Sequence, residues 1–462
     1  MMQDGSRFLS VRTPGMIKGV VYLDGDEDGK RGPDEPGISG VAVSNGYDVS
    51  ITDAEGRYEL AYLLEGLIWV TVPVGYRSPG PFFLRADGPN ADFALVEELQ
   101  LGAFSFVYYT DLHLNAGARG SERFAETLRE IADLRPSPEF CIDGGDITLQ
   151  GGCGERYKAL MDGFPLRVYH SMGNHEHLVE RPDPKGAYRD LFGPTYYSFN
   201  YGGAHFVILD AMKVDLSLQG WQSVVGMMSD KELNWLKADL AYVGRETPVI
   251  IVSHIPLWTT FDERRGVGRT NEPAWLIMNY EAVLEALSPY NVKLILQGHL
   301  HENEHHWEGG IHFLSTGAVC GSWWDQSGEM LCPDGSPKGY RIVHVAGSRV
   351  SSIYKSTERP LNNQFQIDKP IEGERAKGRF AVEVNVFDGS NRTEVAFSLD
   401  GIRWRPIRLE PSYLTDTSRA CAHRWVGEAE VTDRPAGTHY LQVKASDPAW
   451  GTVTEMVGII GH

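Results

Sequence analysis

Positive charge, long apolar runs and paired cysteines are all scarce in this chain, and each scarcity removes a class of explanation. Lys and Arg number 43 against 62 Asp and Glu, a net charge of -19. Nucleic-acid affinity comes mostly from Lys and Arg neutralising phosphates, so no extended nucleic acid is expected as a partner. Docking on an anionic membrane surface is disfavoured for the same reason. A small phosphate ester stays open, because divalent cations can invert the local field in a pocket. The longest apolar runs, such as Pro248 to Val252, fall far short of the roughly 20 residues that span a bilayer. No membrane span is expected. The five cysteines (Cys141, Cys153, Cys320, Cys332, Cys421) include no C-x-x-C pair. An odd count without a framework reads as mostly free thiols, with a Cys320–Cys332 bridge as the one pairing considered. Met1-Met2-Gln3-Asp4-Gly5-Ser6 lacks a basic region followed by an apolar stretch, so no signal peptide is visible. Internal repeats and low-complexity tracts are missing too.

What remains is globular. A hydrophobic fraction of 42% over 462 residues is too much chain for one ordinary core, so two to four domains are expected. Residues 1–97 read as all-β, with short runs at Ile17–Leu23, Val41–Ser44, Tyr58–Ala61 and Ile68–Val72 between turn clusters, and suggest a small sandwich. From 98 to 356 the rhythm becomes strand, loop, helix. Strands are predicted at Phe104–Tyr109, Glu139–Ile142, Leu166–His170, His205–Leu209, Pro248–Val252 and Val292–Leu296. Helices are predicted at Ser121–Leu134, with Ser121 as N-cap, and at Asp230–Ala241 and Asn279–Leu287. Apolar strands alternating with helices imply an α/β sheet covered on both faces. Residues 370–462 return to β periodicity and predict a second, C-terminal sandwich.

Five segments bearing histidine, aspartate or asparagine follow those apolar strands: Asp111-Leu112-His113, Gly145-Asp146, Gly173-Asn174-His175-Glu176, Ser253-His254 and Gly298-His299-Leu300-His301. In an open α/β sheet, ligands bind beyond the carboxyl ends of the strands. Residues two apart on extended chain point the same way, so Asp111 with His113, and His299 with His301, can address one small volume. Taken singly, any of these residues reads as an ordinary core or surface group. Delivered repeatedly to strand ends, they read as a metal site with room for two ions. Mixed imidazole, carboxylate and amide ligands suit Mn, Fe, Zn or Ni better than Mg or Ca.

This ordered set, D-x-H, G-D, G-N-H-E, H and G-H-x-H, resembles the calcineurin-like metallophosphoesterases. The resemblance implies a two-sheet α/β sandwich core with a dinuclear centre. It implies that Asp111, His113 and His301 hold one metal, that Asn174, His254 and His299 hold the other, and that Asp146 bridges them. It makes His175 a non-ligand catalytic histidine. The implied reaction is hydrolysis of a small phosphate ester by in-line attack of a metal-bridging hydroxide. Because no Arg or Lys cluster adjoins the motifs (Arg119 and Arg123 are the nearest), the expected substrate is a phosphodiester; a phosphomonoester, nucleotide or pyrophosphate is the alternative. A β domain before the core and an Ig-like domain after it are similar to a bacterial subgroup, as is Gly317-Ala318-Val319-Cys320-Gly321-Ser322-Trp323-Trp324. Many members of that subgroup are exported, which pulls localisation towards the periplasm against the missing leader. A non-catalytic binding scaffold is a remote alternative, since such proteins usually lose several of these residues.

Other features stand apart. Asp24, Asp26, Asp28 and Glu35 satisfy the calcium-loop pattern D-x-[DN]-x-[DN]-G-x5-E, though strands rather than helices flank it. A structural Ca²⁺ site and a solvated acidic hairpin loop both fit. Trp323 and Trp324 are candidates for contact with an organic leaving group, and His177 for contact with a substrate oxygen. His305 and His306 read as surface residues, and Asp210 as structural.

Overall fold

The computed structural model describes residues 15–461, apart from 62–65, 87, 116–118, 179–180, 216–222, 268–272, 325–329, 413–419 and 433–434. The residues of the leader reading, Met1 to Ser6, lie outside that range. The chain divides into two compact units: residues 1–100 with 197–201 and 230–243, and the remainder.

The N-terminal unit holds two four-stranded sheets. One runs in the order Arg57–Ala61, Met16–Leu23, Phe93–Glu97, Tyr76–Arg77, and the other Val49–Ile51, Ala42–Ser44, Leu67–Thr71, Phe83–Arg85. Ile17, Val21, Val43, Tyr58, Val70 and Leu95 form their common core. Leu67–Thr71 is buried at every position, unlike a strand with one wet face. Its second face is covered by helix Asp230–Leu240, where Trp235 meets Trp69 with ring centroids 6.2 Å apart. The helix was legible in the sequence, as Asp230–Ala241. Its partner was not.

The second unit begins with a five-stranded sheet in the order Arg167–His170, Phe140–Asp143, Ala103–Tyr109, Gly339–Ala346, Arg349–Ser356, the first three parallel and the rest antiparallel. A second sheet runs Ala204–Leu209, Pro248–Ser253, Asn291–Gln297, Ile311–Ser315 in parallel, with Glu304–Glu308 antiparallel at its edge. Phe106 and Phe140 stack at 5.1 Å, and Phe206 of the second sheet meets Phe106 edge-on at 5.5 Å. The two sheets therefore face each other, as the predicted two-sheet α/β core requires. Helix Gly120–Ala132 buries Phe124, Leu128 and Ile131 on one stripe. The predicted Ser121 cap is not used. Arg119 occupies the cap position without a side-chain bond to the helix backbone, and the Trp324 indole lies within 3.1 Å of where a side chain at Gly120 would begin. Packing sets this helix start.

The C-terminal strands form one eight-stranded sheet, Phe365–Lys369, Arg379–Val386, Arg424–Glu430, Arg405–Leu409, Glu394–Ser398, Gly437–Asp447, Gly451–Gly461, Glu374–Ala376. The predicted sandwich thus takes the form of a single sheet curled around Val384, Phe397, Trp425 and Val443. It belongs to the same compact unit as the α/β core. All five cysteines are free and buried, so Cys320 and Cys332 are not bridged. No described helix is long and apolar enough to cross a membrane.

Candidate metal centre

The strand-end residues converge. His254 Nε2 lies 3.2 Å from Asp146 Oδ2 and 3.2 Å from Asn174 Oδ1. His113 Nε2 lies 3.6 Å from the same Asp146 oxygen and 3.0 Å from His301 Nε2. His301 Nε2 is 3.3 Å from Asp111 Oδ1, and His299 joins Asp146 and His254 in a group whose ligand atoms lie within 4.8 Å of one another. Asp111, His113, Asp146, Asn174, His254 and His301 are buried, while His175 keeps 36% of its side chain exposed, with its Nε2 4.0 Å from Asp146 Oδ2.

Local backbone geometry aims these side chains. Asp111 (φ 59°), His113 (φ 41°), Asp146 (φ 59°), His299 (φ 72°) and His301 (φ 57°) are all left-handed. That conformation costs on the order of 1–3 kcal/mol per residue and clusters at functional sites. Cross-bonding between loops holds it: Asp111 N–H donates to Gly145 O (2.9 Å) and His113 N–H to Asp146 O (2.8 Å). The buried Glu176 carboxylate accepts from the amides of Asp146 (2.9 Å), Thr148 (2.8 Å) and Gly173 (2.6 Å). Burial and the Asp146 charge lift its carboxyl to about 7. Glu176 was visible in the G-N-H-E segment, but nothing in its spacing marked it as a brace. Gly173 is required by close approach, since a methyl carbon there would sit 2.2 Å from Asp146 Oδ1.

Two ring nitrogens are committed away from the centre. His254 Nδ1–H donates to Gly144 O (2.8 Å) and His301 Nδ1–H to Gly321 O (3.1 Å), which turns both Nε2 lone pairs inwards. Inward lone pairs can take a cation. His113 Nε2 and His301 Nε2 face each other at 3.0 Å, a contact that requires a proton on one ring, and His113 Nδ1 is buried without a hydrogen-bond partner. Burial opposes charge on His254, yet the Asp146 and Asp111 carboxylates lift it to about 9. Asp111 is held at about 2 despite its burial, by His301 and His254. The carboxylates thus draw positive charge to this site, and once its imidazoles give up their protons the donor set fits divalent transition metals.

A cleft of about 170 Å³ opens over these groups, lined by His113, Asp146, Asn174, His175, His299, His301, Trp323, Trp275, Val224 and Ala274. Trp323 covers the histidines, its ring centroid 3.9 Å from that of His113. Trp324 does not line the cleft: it is buried, with its indole N–H donating to Leu112 O at 2.8 Å. His177 is also absent from the lining, with its Nδ1 on Asn174 O and its Nε2 3.3 Å from Ser223 Oγ. Trp275 lines the cleft without having carried any motif signal. His305 and His306 are not free surface groups. His305 Nε2 lies 2.8 Å from Asp388 Oδ1, and His306 stacks on Trp258 at 3.3 Å. Asp210 accepts a bond from Lys185 Nζ at 2.6 Å. Asp24, Asp26 and Glu35 form a separate acidic group in the N-terminal unit.

Residues 104–303 match the family described as calcineurin-like phosphoesterase, and residues 314–450 match the family described as the C-terminal part of calcineurin-like phosphoesterase. A 3',5'-cyclic-nucleotide phosphodiesterase of Nostoc sp. is 23% identical over 256 residues, covering 52% of this chain and 87% of the relative. Purple acid phosphatase 15 of Arabidopsis thaliana is 34% identical over 110 residues, which is 24% of this chain and 17% of that protein. Among solved structures, the phosphopantetheinyl hydrolase of Mycobacterium tuberculosis is similar at 17% identity with a TM-score of 0.33, covering 49% of this chain and 94% of that one.

Proposed function

From the premise that this chain belongs to the calcineurin-like phosphoesterases, and is therefore a metal-dependent phosphoric ester hydrolase, we propose that it cleaves small phosphodiesters at a dinuclear centre. Asp111, His113 and His301 would hold one ion, Asn174, His254 and His299 would hold the other, and Asp146 would be shared between them. Mn, Fe, Zn or Ni suits this nitrogen-rich set. When bound, such a pair supplies Lewis acidity to the phosphoryl oxygens and lowers the pKa of water.

The protein's own groups do the rest. His254 and His301 keep their outer protons on Gly144 O and Gly321 O, so their inner nitrogens stay available as ligands. His175 is the half-exposed imidazole of the cleft, and its backbone N–H is fixed to Asp146 Oδ1 at 2.9 Å. It stands where it can donate a proton to a leaving alkoxide or meet charge on a phosphoryl oxygen. Trp323 offers an indole face beside the same centre, suited to an aryl or nucleoside leaving group.

The observation that carries the diester reading is the cleft lining, which among the described residues contains no Lys or Arg. A monoester dianion calls for more positive groups than a diester monoanion does. The named activity of the Nostoc relative lies in the same substrate class. The test is a panel of bis-aryl phosphate, mono-aryl phosphate and 3',5'-cyclic nucleotide with Mn²⁺-reconstituted protein. Diester turnover above monoester turnover, abolished by chelator and lowered at least 100-fold by Asp146→Asn, is the expected result. Faster monoester turnover would sink the diester reading, and activity surviving Asp146→Asn would sink the bridging role.

A further inference from the structure

The N-terminal unit carries a second cluster of carboxylates, independent of the phosphoesterase site. It occupies the loop that leaves strand Met16–Leu23. Both ends of the loop are pinned. Leu23 N–H donates to Pro36 O and Asp24 N–H to Leu95 O, each at 2.9 Å. Between these anchors the carboxylates fall at alternate positions: Asp24, Asp26 and Asp28, then Gly29, with Glu35 closing the loop. Gly29 has φ 75°, the sharp turn that this spacing requires of its sixth position.

Asp24 is buried and Glu35 half-buried, while Asp26 and Asp28 stay exposed at the tip but are tied to the loop. Glu35 accepts Gly25 N–H (2.9 Å) on one oxygen and Gly32 N–H (2.8 Å) on the other. Asp24 Oδ2 accepts Gly29 N–H at 3.0 Å, and Asp28 Oδ1 accepts Lys30 N–H at 2.7 Å. One oxygen each from Asp24, Asp26 and Glu35 lies within 4.8 Å of the others. Glu27, the remaining acid of the tip, is turned to Arg77 at 2.6 Å and stands outside the set.

An acidic loop alone would be only a solvated hairpin. Asp24 separates the two readings. It has no solvent exposure, and its Oδ1 is buried without a hydrogen-bond partner. A buried carboxylate oxygen without a donor is costly, and grouping it with two more carboxylates adds repulsion. A hard cation relieves both. We propose that the loop from Asp24 to Glu35 is a Ca²⁺ site, with Asp24, Asp26, Asp28 and Glu35 as carboxylate ligands and the Lys30 carbonyl as the main-chain ligand. The donors are all oxygen, and a loop of this kind tolerates the irregular shell of roughly 6–8 ligands that Ca²⁺ takes and Mg²⁺ rejects. The ion ties the start of the loop to its end and so stiffens the sheet that begins at Met16.

The experiment is calorimetric titration of Ca²⁺ and of Mg²⁺ into the metal-stripped full chain, with thermal melting followed in parallel. Asp26→Asn and Glu35→Gln keep an acceptor oxygen for the loop amides, so both variants are expected to fold. Asp146→Asn removes the proposed bridging ligand of the other site instead. A Ca²⁺ site retained in Asp146→Asn, weakened at least tenfold by Asp26→Asn and by Glu35→Gln, and selective over Mg²⁺ is the expected pattern. Its Ca²⁺-dependent rise in melting temperature should vanish in Glu35→Gln. Ca²⁺ binding that is unchanged in both loop variants, or that disappears in Asp146→Asn, overturns the proposal.

Discussion

Arg341→Met is expected to destabilise the protein by about 3–5 kcal/mol, the range for stranding one partner of a buried ion pair. Arg341 lies on strand Gly339–Ala346 with no exposed surface. Its guanidinium donates to Asp388 Oδ1 (2.5 Å), Asn303 Oδ1 (2.9 Å), Thr316 Oγ1 (2.9 Å) and Ser315 O (3.2 Å). The charge left behind is Asp388, 2% exposed, which would keep only His305 Nε2 at 2.8 Å and Tyr354 N–H at 2.9 Å. Two remaining partners place the loss near 3 kcal/mol, the lower end of that range. The perturbation also reaches the cleft. Asn303 lies two residues beyond His301, and its Oδ1 accepts Gly317 N–H at 3.0 Å, at the head of the loop that carries Trp323. Mn²⁺ affinity should therefore fall about 10- to 100-fold, the usual effect of losing an outer partner of a ligand loop. Urea unfolding followed by tryptophan fluorescence measures the first effect, and Mn²⁺ titration the second. The double variant with Asp388→Leu should lose less than the sum of the single losses, by at least about 1 kcal/mol. A single-variant cost under about 1 kcal/mol, or strict additivity, would refute the coupling.

Burial would raise the Asp388 carboxyl, but Arg341 and His305 hold it far below the usual range; a depressed native pKa gives stability that is full above about pH 4 and declines as pH falls below it, so urea midpoints between about pH 5 and pH 3 should drop more steeply in the parent than in Asp388→Asn. Trp323→Ala should raise KM for a bis-aryl phosphate about threefold to tenfold with little loss of stability, whereas Trp324→Ala should cost about 3–5 kcal/mol in unfolding, and the reverse assignment in kinetics and melting would show that the two indoles had been exchanged.

That last contrast marks where the sequence stops being legible. Trp323 and Trp324 are adjacent and chemically identical, and both have left-handed backbone, at φ 55° and φ 56°. Which one faces the cleft depends on the turn around them. The residues that converge at the cleft were legible because their signal is local, each imidazole or carboxylate following an apolar strand. Helices Cys153–Met161 and Gly186–Phe192 were not anticipated, since they are short and follow stretches rich in glycine or proline. Strand Arg405–Leu409 was missed because its exposed arginines interrupt the alternation. Asp230–Leu240 was recognised as a helix, but an amphipathic stripe does not name the surface that covers it.

The C-terminal sheet shows why partners distant in sequence matter most. Asp334 follows the Trp323 loop and accepts Asn303 N–H at 2.7 Å. The same oxygen, Oδ2, is met by His423 Nε2 at 3.0 Å, while Asn385 Nδ2–H donates to Asp334 O at 2.9 Å. Asp388 adds the carboxylate for Arg341. Three residues from the last part of the chain thus complete hydrogen bonds that begin two residues beyond the G-H-x-H segment. A separable accessory domain would meet the core through a wet, exchangeable surface, whereas these contacts are buried and charged. Removing the C-terminal strands would leave the Arg341 guanidinium buried without its carboxylate and Asp334 without its imidazole. The sheet is therefore a structural part of the unit that carries the candidate metal centre, and its loss would be felt at His301 before any substrate arrived.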